Sequence, residues 1–246
     1  NIVDTKGSLF KYLRNGISFI NYADERIKSI NNIGQKITYG LNANCDFPAD
    51  IHRENDGSIT LTIDAQEIKT KSKNLSFAKN IIAVSAVSIT LGIEWKLLQE
   101  KILTFKPPKG RCKVITYNSI TIIDDTYNAN LESCIAAIDY LNAFSGSGRK
   151  ILVLGDMLEL GTASTSQHEK LGSKCSAANL DAVFTIGKRT LSTQSTIHGV
   201  PINLHYNNSG DLISSLKSQL QDNDKILFKG SRGMKMEKII SGVFKA

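Results

Sequence analysis

Three segments of the sequence carry clustered polar side chains directly after a short apolar run: 124–130, 155–161 and 229–237. In the first, aspartates can accept hydrogen bonds from ribose hydroxyls or hold a metal ion, and asparagines can orient a water or a phosphate oxygen. In the second, Asp156 and Glu159 can act on an amine or a cation. The third combines lysine, serine and arginine before a helix, a pattern that favours phosphate or carboxylate groups.

Each segment also has a purely structural interpretation. Residues 124–130 can form an Asx-type turn that caps the next helix, and spacing alone does not separate this from a binding role. Asp156 and Glu159 can be solvated acids in a strand-to-helix turn, which is the interpretation that their sequence favours. For 229–237, binding is favoured over a basic loop. His168 is predicted to cap a helix or to lie in the core.

Short apolar runs alternate with helical patterns in the second half of the chain. This alternation predicts a parallel, doubly wound sheet with ligands bound beyond the carboxyl ends of its strands. The predicted strands are 121–123, 151–154, 182–186 and 225–228. The predicted helices are 132–144, 167–178, 211–220 and 236–244.

Pro107–Gly110 interrupts the pattern, because two prolines and a glycine cannot continue a helix. We expect a boundary here, between a domain at 1–108 and a second at 109–246. Arg111 follows this hinge, where it can reach a bound ligand or form a salt bridge. In the first domain, Asn55–Gly57 predicts a hairpin turn. The predicted helices there are 6–15, 24–32, 76–91 and 94–105, and the strands 17–20, 36–39, 51–54, 59–63 and 67–71.

Composition excludes several classes of protein. The chain has 246 residues, a net charge of +7 and 41% hydrophobic residues, which is typical of a globular protein. No apolar stretch reaches the roughly 18 residues of a membrane span. Lysines are spread along the chain and not interleaved with aromatics, so no nucleic-acid partner is expected. The four cysteines form no C-x-x-C pair, and no Ser-His-Asp pattern or G-x-x-x-x-G-K-[ST] phosphate loop occurs.

The three polar segments together resemble the Mur ligase family. Residues 124–130 are similar to its Asp-x-Tyr-Asn-Ala-Asn signature, 153–161 to its Leu-Gly-Asp-Met-x-Glu-Leu-Gly stretch, and 224–237 to its Lys-Gly-Ser-Arg-x-Met-x-Met-Glu segment. Asn-Ala-Asn resembles the branch that adds D-Ala-D-Ala, whereas sister ligases carry a Tyr-Ala-His-x-Pro form. The resemblance is weaker before Pro107, and Leu131 replaces the family's proline.

The resemblance implies a fold and a reaction. The expected fold is α/β, with a partial central ATPase-type domain followed by a Rossmann-like doubly wound C-terminal domain. The expected reaction joins D-Ala-D-Ala to UDP-N-acetylmuramoyl-tripeptide through an acyl phosphate, with ATP and Mg²⁺ as cofactors. The resemblance further implies a cytoplasmic bacterial enzyme that is a monomer without nucleic-acid or membrane partners.

The resemblance also assigns roles to single residues, and none is assigned as a metal ligand. Residues expected to act on the reacting groups are Lys6, Asn128, Lys229 and Arg232. Those expected to bind the nucleotide are Asn80, Arg111, Asp125 and Asn130. Those expected to bind the substrate are Asp156, Glu159 and Ser231.

The family's UDP-sugar-binding domain and phosphate loop are expected upstream of this sequence. No signal-peptide pattern follows Asn1, and the chain is expected to begin inside a domain. Three alternatives stay open. The chain can be a catalytically incomplete fragment, a ligase that adds another amino acid, or a nicotinamide-type dinucleotide binder, although no G-x-G-x-x-G follows a strand.

Overall fold

The structure is a computed structural model that describes residues 7–13, 15–28 and 34–244. Residues 1–6, 14, 29–33 and 245–246 lie outside the described part, and Lys6 is therefore not placed. The chain divides into two compact units, 1–105 and 106–246. Within the described residues, each unit has its own sheet; the first has one apolar core and the second has two.

The first unit contains a five-stranded sheet in the order β1-β2-β3-β4-β5. The strands are β1 Ile17–Asn21, β2 Gln35–Gly40, β3 Phe47–Arg53, β4 Ile59–Ile63 and β5 Gln66–Lys69. β1, β2 and β3 pair in parallel, whereas β3, β4 and β5 pair antiparallel. The predicted hairpin is confirmed between β3 and β4, where Gly57 has a φ of 84° and donates its N–H to Glu54.

Three helices accompany the described part of this sheet. They are α1 Glu25–Lys28, α2 Leu75–Thr90 and α3 Trp95–Thr104. Isoleucines and a leucine of β4 are buried against α2, whose Ile81 and Ile82 are 3% and 2% exposed. Of the predicted helix at 6–15, the described residues show Gly7 as helical and a 3₁₀ helix at Ser8–Tyr12, which ends before the predicted bound. Of the predicted helix at 24–32, the described residues show α1, and 29–33 lie outside them.

The second unit is a doubly wound α/β domain, as predicted. Its six strands run in the order β10-β9-β8-β11-β7-β6, and only the β6–β7 pair is antiparallel. The strands are β6 Lys113–Tyr117, β7 Ile120–Asp125, β8 Lys150–Gly155, β9 Ala182–Ile186, β10 Ile202–Tyr206 and β11 Lys225–Lys229. The helices are α4 Leu131–Asn142, α5 Ser164–Ala177, α6 Thr190–Ser195, α7 Ser209–Gln219 and α8 Glu237–Phe244.

Two apolar cores sandwich this second sheet. One core packs α4 and α5 against the sheet through residues such as Ile138 and Leu171, and the other packs α7 and α8 through residues such as Leu212 and Ile239. β8, β9 and β11 are buried along almost their whole length and β7 is buried at Ile122–Asp124, because helices cover both faces of these four strands. The helices therefore fix the positions at which these four strands end.

Candidate functional site

The three polar segments meet at the carboxyl ends of three neighbouring strands of the second sheet. β11 lies between β8 and β7, and Lys229 is in register with Leu154 on one side and Asp125 on the other. All three strands are parallel, so their carboxyl ends and the loops that follow them lie side by side. The structure thus brings together segments that are far apart in the sequence, as the doubly wound pattern predicts.

A buried ion pair joins the first and third segments. The Lys229 ammonium donates to Asp125 Oδ2 over 2.5 Å and to the Asn128 carbonyl over 3.1 Å. The two side chains are 3% and 14% exposed. Lys229 was assigned to the reacting groups and Asp125 to the nucleotide. In this structure, the lysine neutralises the aspartate and fixes the loop at 126–130, and the two assigned roles stay predictions.

Ser231 closes the crevice between the three loops. Its hydroxyl accepts from the Leu158 N–H over 2.8 Å and donates to the Ala129 carbonyl over 3.3 Å. Its own N–H donates to the Asp156 carbonyl. Ser231 is 3% exposed, its side-chain hydrogen bonds both join different loops, and its predicted contact with substrate stays a prediction.

Two glycines let the chain pack tightly at this point. A Cβ on Gly230 would lie 3.2 Å from the Gly155 Cα and 2.7 Å from Met236 Cγ. Met236 is fully buried and fills the space above both glycines. In doubly wound folds ligands bind where neighbouring strands send their helices to opposite faces. Here β8 and β11 do so, but methionine and serine fill the crevice, and a ligand would contact only its outer rim.

The second segment differs from its predicted character at Asp156. This residue is 5% exposed, and its Oδ1 accepts the N–H groups of Arg189 and Thr190 over 3.0 and 2.8 Å at the start of α6. Gly187 has a φ of 115°, and a Cβ there would meet this carboxylate at 2.5 Å. The interpretation as a solvated acid is therefore wrong for Asp156. Glu159 is exposed, with a φ of 61°, and fits that interpretation.

The outer rim of the site is formed by exposed polar side chains. The Arg111 guanidinium lies over the Tyr127 ring, 4.1 Å from its centroid. Asn128 and Asn130 are also exposed. Asn130 caps α4, since its Oδ1 accepts from the Ser133 N–H over 2.8 Å and the Ser133 hydroxyl accepts its N–H in return. The capping interpretation of the first segment is confirmed for Asn130, and its contact with a nucleotide stays a prediction.

Arg232 is an exposed cation that follows β11. Its side chain is 66% exposed, and it approaches Glu237 Oε1 at 3.4 Å. Glu237 Oε2 is buried and accepts no hydrogen bond. Arg232 is thus held loosely at the rim, where it is free to contact an anion.

His168 and two cysteines belong to the core. His168 is fully buried, its Nε2 accepts the Met157 N–H over 3.1 Å, and its Nδ1 lies 2.8 Å from the Ser164 carbonyl. The predicted core role is confirmed. Burial raises the pKa of the Cys134 and Cys175 thiols to about 12 each. Both therefore stay protonated near neutral pH, and neither is a candidate nucleophile.

Asn80 is placed in the first unit. It is exposed on α2, next to Lys79. Lys79 lines a shallow cavity of about 120 Å³ together with Asn21, Tyr39 and Ile82. The structure therefore divides the predicted nucleotide-binding residues between the two units, with Asn80 in one and Arg111, Asp125 and Asn130 in the other.

The donor groups at the rim suit an organic anion better than a bare cation. Among residues 7–13, 15–28 and 34–244, no group of three or more His, Cys, Asp or Glu side chains could hold a metal ion. A guanidinium and two asparagine amides can donate to phosphate or carboxylate oxygens. These residues can therefore donate to the oxygens of an organic anion, and the nucleotide role predicted for Arg111 and Asn130 stays a prediction.

No helix in the described part of the chain has the length and apolar character needed to cross a bilayer.

Residues 110–232 match the family model described as "Mur ligase, glutamate ligase domain". The chain belongs to the Mur ligase family. It is 32% identical over 211 residues to the UDP-N-acetylmuramoyl-tripeptide–D-alanyl-D-alanine ligase of Synechocystis sp., covering 85% of this chain and 44% of the relative. It is 31% identical over 255 residues to the ligase of the same name from Haemophilus influenzae, covering 97% and 54%.

Solved structures show the same fold. A MurF ligase from Thermotoga maritima in complex with ADP superimposes with a TM-score of 0.83 at 26% identity, covering 99% of this chain and 57% of that chain. A MurF from Acinetobacter baumannii has a TM-score of 0.82 at 23% identity. The chain thus spans about half the length of the relatives it matches.

Proposed function

We propose that this chain is part of an ATP-dependent ligase that joins D-Ala-D-Ala to UDP-N-acetylmuramoyl-tripeptide. The observation that carries this proposal is the meeting of the three signature segments at one sheet edge, with Arg111, Asn128 and Arg232 exposed at the rim. The names of the Synechocystis and Haemophilus relatives support the choice of substrates. The ADP complex of the Thermotoga ligase supports a nucleotide.

The proposed roles follow from exposure. Arg111 and Arg232 present guanidinium groups that can bind phosphate or carboxylate oxygens in pairs. Asn128 and Asn130 orient the nucleotide or a water. Lys229, Asp125 and Ser231 hold the loops that carry these groups. Glu159, exposed beside the rim, is proposed to contact the dipeptide amine.

ATP supplies the phosphoryl group that activates the terminal carboxylate of the tripeptide for attack by the dipeptide amine. Mg²⁺ is proposed to accompany the nucleotide, with ligands from its phosphates, water and residues other than those described here. Catalysis by this chain would be positioning and charge stabilisation by its arginines and asparagines. We place the reaction in the bacterial cytoplasm, with the enzyme acting as a monomer.

The test is phosphate release with ATP, Mg²⁺, UDP-N-acetylmuramoyl-tripeptide and D-Ala-D-Ala. The 246 residues contain no phosphate-loop motif, so the chain alone should release none. The chain fused behind the part of the Haemophilus relative that precedes the matched region should release phosphate only when both substrates are present. A folded fusion that releases no phosphate with both substrates present would contradict the proposal. Equal activity with single amino acids would assign the chain to another branch of the family.

Arg232 provides the residue-level arm of this test. In the active fusion, Arg232→Ala should lower kcat/KM for D-Ala-D-Ala by roughly tenfold or more, because a hydrogen bond to a charged group is lost. Lys217→Ala is the matched control, since Lys217 is an exposed cation near the end of α7. Unchanged kinetics in the Arg232 variant would take this residue out of the site.

A further inference from the structure

A strained turn carries Arg111. Gly110 has a φ of 78° and Cys112 a φ of 51°, so both neighbours of Arg111 adopt the left-handed conformation. For Cys112, which is not a glycine, this conformation is strained. At Gly110, a Cβ would lie 3.1 Å from the Tyr127 nitrogen. A strained turn of this kind persists only where surrounding contacts hold it.

Two consecutive aspartates hold the turn. Asp124 Oδ2 accepts the Gly110 N–H over 3.1 Å, and Asp125 Oδ1 accepts the Cys112 N–H over 3.0 Å. The Gly110 carbonyl accepts the Tyr127 N–H over 2.9 Å. The residues before and after Arg111 are therefore both held by hydrogen bonds to Asp124 and Asp125. The loop that follows these aspartates also carries Tyr127, on whose ring the Arg111 guanidinium lies.

Asp124 is not explained by any role assigned so far. It is 2% exposed, and its second oxygen, Oδ1, accepts the Thr126 hydroxyl over 2.7 Å and the Thr126 N–H over 3.3 Å. The residue thus ties Gly110 to the turn that leads to Tyr127. Asp125, its neighbour, is neutralised by Lys229 and is already part of the site.

We propose that Asp124 is a positioning residue that fixes the Gly110–Cys112 turn so that the Arg111 guanidinium stacks on Tyr127 and faces the nucleotide. Asp124 itself lies inside the protein and acts through Gly110. The part of this proposal that concerns the nucleotide rests on the proposed function. The part that concerns the Arg111–Tyr127 stack does not.

Nuclear magnetic resonance of the 246-residue chain tests the stack directly. The ring current of Tyr127 shifts the Hδ protons of Arg111, and Tyr127→Leu gives their unshifted position. In Asp124→Asn the Arg111 resonances should move most of the way to that position. Asp181→Asn is the matched control, because Oδ2 of Asp181 accepts the Lys150 N–H over 2.7 Å at the opposite end of β8. In this variant the Arg111 resonances should not move. An Arg111 shift that is unchanged in folded Asp124→Asn would overturn the proposal.

Gly110→Ala keeps the test decisive if Asp124→Asn does not fold. It leaves the carboxylate intact but places a Cβ against the Tyr127 backbone, and it should displace the Arg111 resonances in the same direction. Thr126→Val removes a different partner of Asp124 and should leave them in place. Retention of the Arg111 shift in folded Gly110→Ala would also overturn the proposal.

Kinetics of the active fusion test the nucleotide part. Asp124→Asn should raise KM for ATP by about tenfold, as expected for loss of one charge-assisted contact, while kcat stays within about twofold. KM for D-Ala-D-Ala should not change, and Asp181→Asn should match the parent fusion. A fall in kcat with no change in the ATP KM would contradict positioning at the nucleotide. A parent fusion without activity would contradict the proposed function alone. The Arg111 chemical shifts of the 246-residue chain would still test whether Asp124 positions Arg111 on Tyr127.

Discussion

At the scale of single residues, the Lys229–Asp125 pair is the contact on which the site most depends. Both groups are desolvated, so removing one leaves a buried charge without its partner. We expect Lys229→Met to lower the free energy of unfolding by about 3 kcal/mol. Urea unfolding followed by far-UV circular dichroism measures this change. Adding Asp125→Asn to Lys229→Met should restore part of the loss, because the unpaired charge is then absent.

The matched control for this pair is Lys174, which lies 2.8 Å from Asp139 in the same unit. These side chains are 31% and 53% exposed, so Lys174→Met should cost less than about 1 kcal/mol. Equal losses in the Lys229 and Lys174 variants would show that burial does not set the strength of the first pair.

Several roles of single residues could not be read from the sequence, because their partners are remote. Lys229 and Asp125 are 104 positions apart, and Asp156 is 34 positions from the Thr190 N–H that it accepts. Both Asp156 and Glu159 follow a strand in a polar turn, yet only Asp156 faces α6. The stack of Arg111 on Tyr127 was also missed, although the paired aspartates at 124 and 125 were visible as an unusual strand end.

At the scale of elements, Asn130 connects the site loop to α4. Its side chain satisfies an N–H group at the start of the helix that no intrahelical bond reaches. We expect Asn130→Ala to destabilise the chain by about 1 kcal/mol and Asn130→Asp to leave its stability nearly unchanged, because aspartate also caps helices. Thermal or urea unfolding measures both variants.

Asn208→Ala is the control for this cap, since Asn208 accepts the Asp211 N–H over 2.9 Å at the start of α7. It should cost a similar amount of stability. In the active fusion, a loss of activity shared by Asn130→Ala and Asn130→Asp would assign the Asn130 amide to ligand binding. A loss confined to Asn130→Ala would assign it to capping alone.

In the second sheet, the strands that the sequence predicted are those covered by helices on both faces. β9 was predicted with its observed bounds, and β7, β8 and β11 within a few residues, because each is a continuous apolar run. β6 and β10 were missed. Both are edge strands, polar residues alternate with apolar ones in β10, and most of β6 is exposed. α6 has only six residues, too few to show a helical period.

At the scale of the whole molecule, the second unit has all the features of an independent folding domain. Its sheet, its two cores and its helix caps are formed within residues 106–246. We expect this fragment to fold alone, with a cooperative thermal transition in far-UV circular dichroism and dispersed amide resonances. A broad, non-cooperative transition would show that the cores within 106–246 are insufficient.

The place of β11 in the sheet has a consequence for synthesis. The ribosome delivers β6 to β10 before β11, yet β11 is the strand that joins β7 to β8. Until Lys225–Lys229 emerges, the sheet is in two pieces and Asp125 has no cation beside it. The rim of the site is therefore completed only after β11 has been synthesised, and a premature stop codon before residue 225 would remove the binding edge together with the centre of the fold.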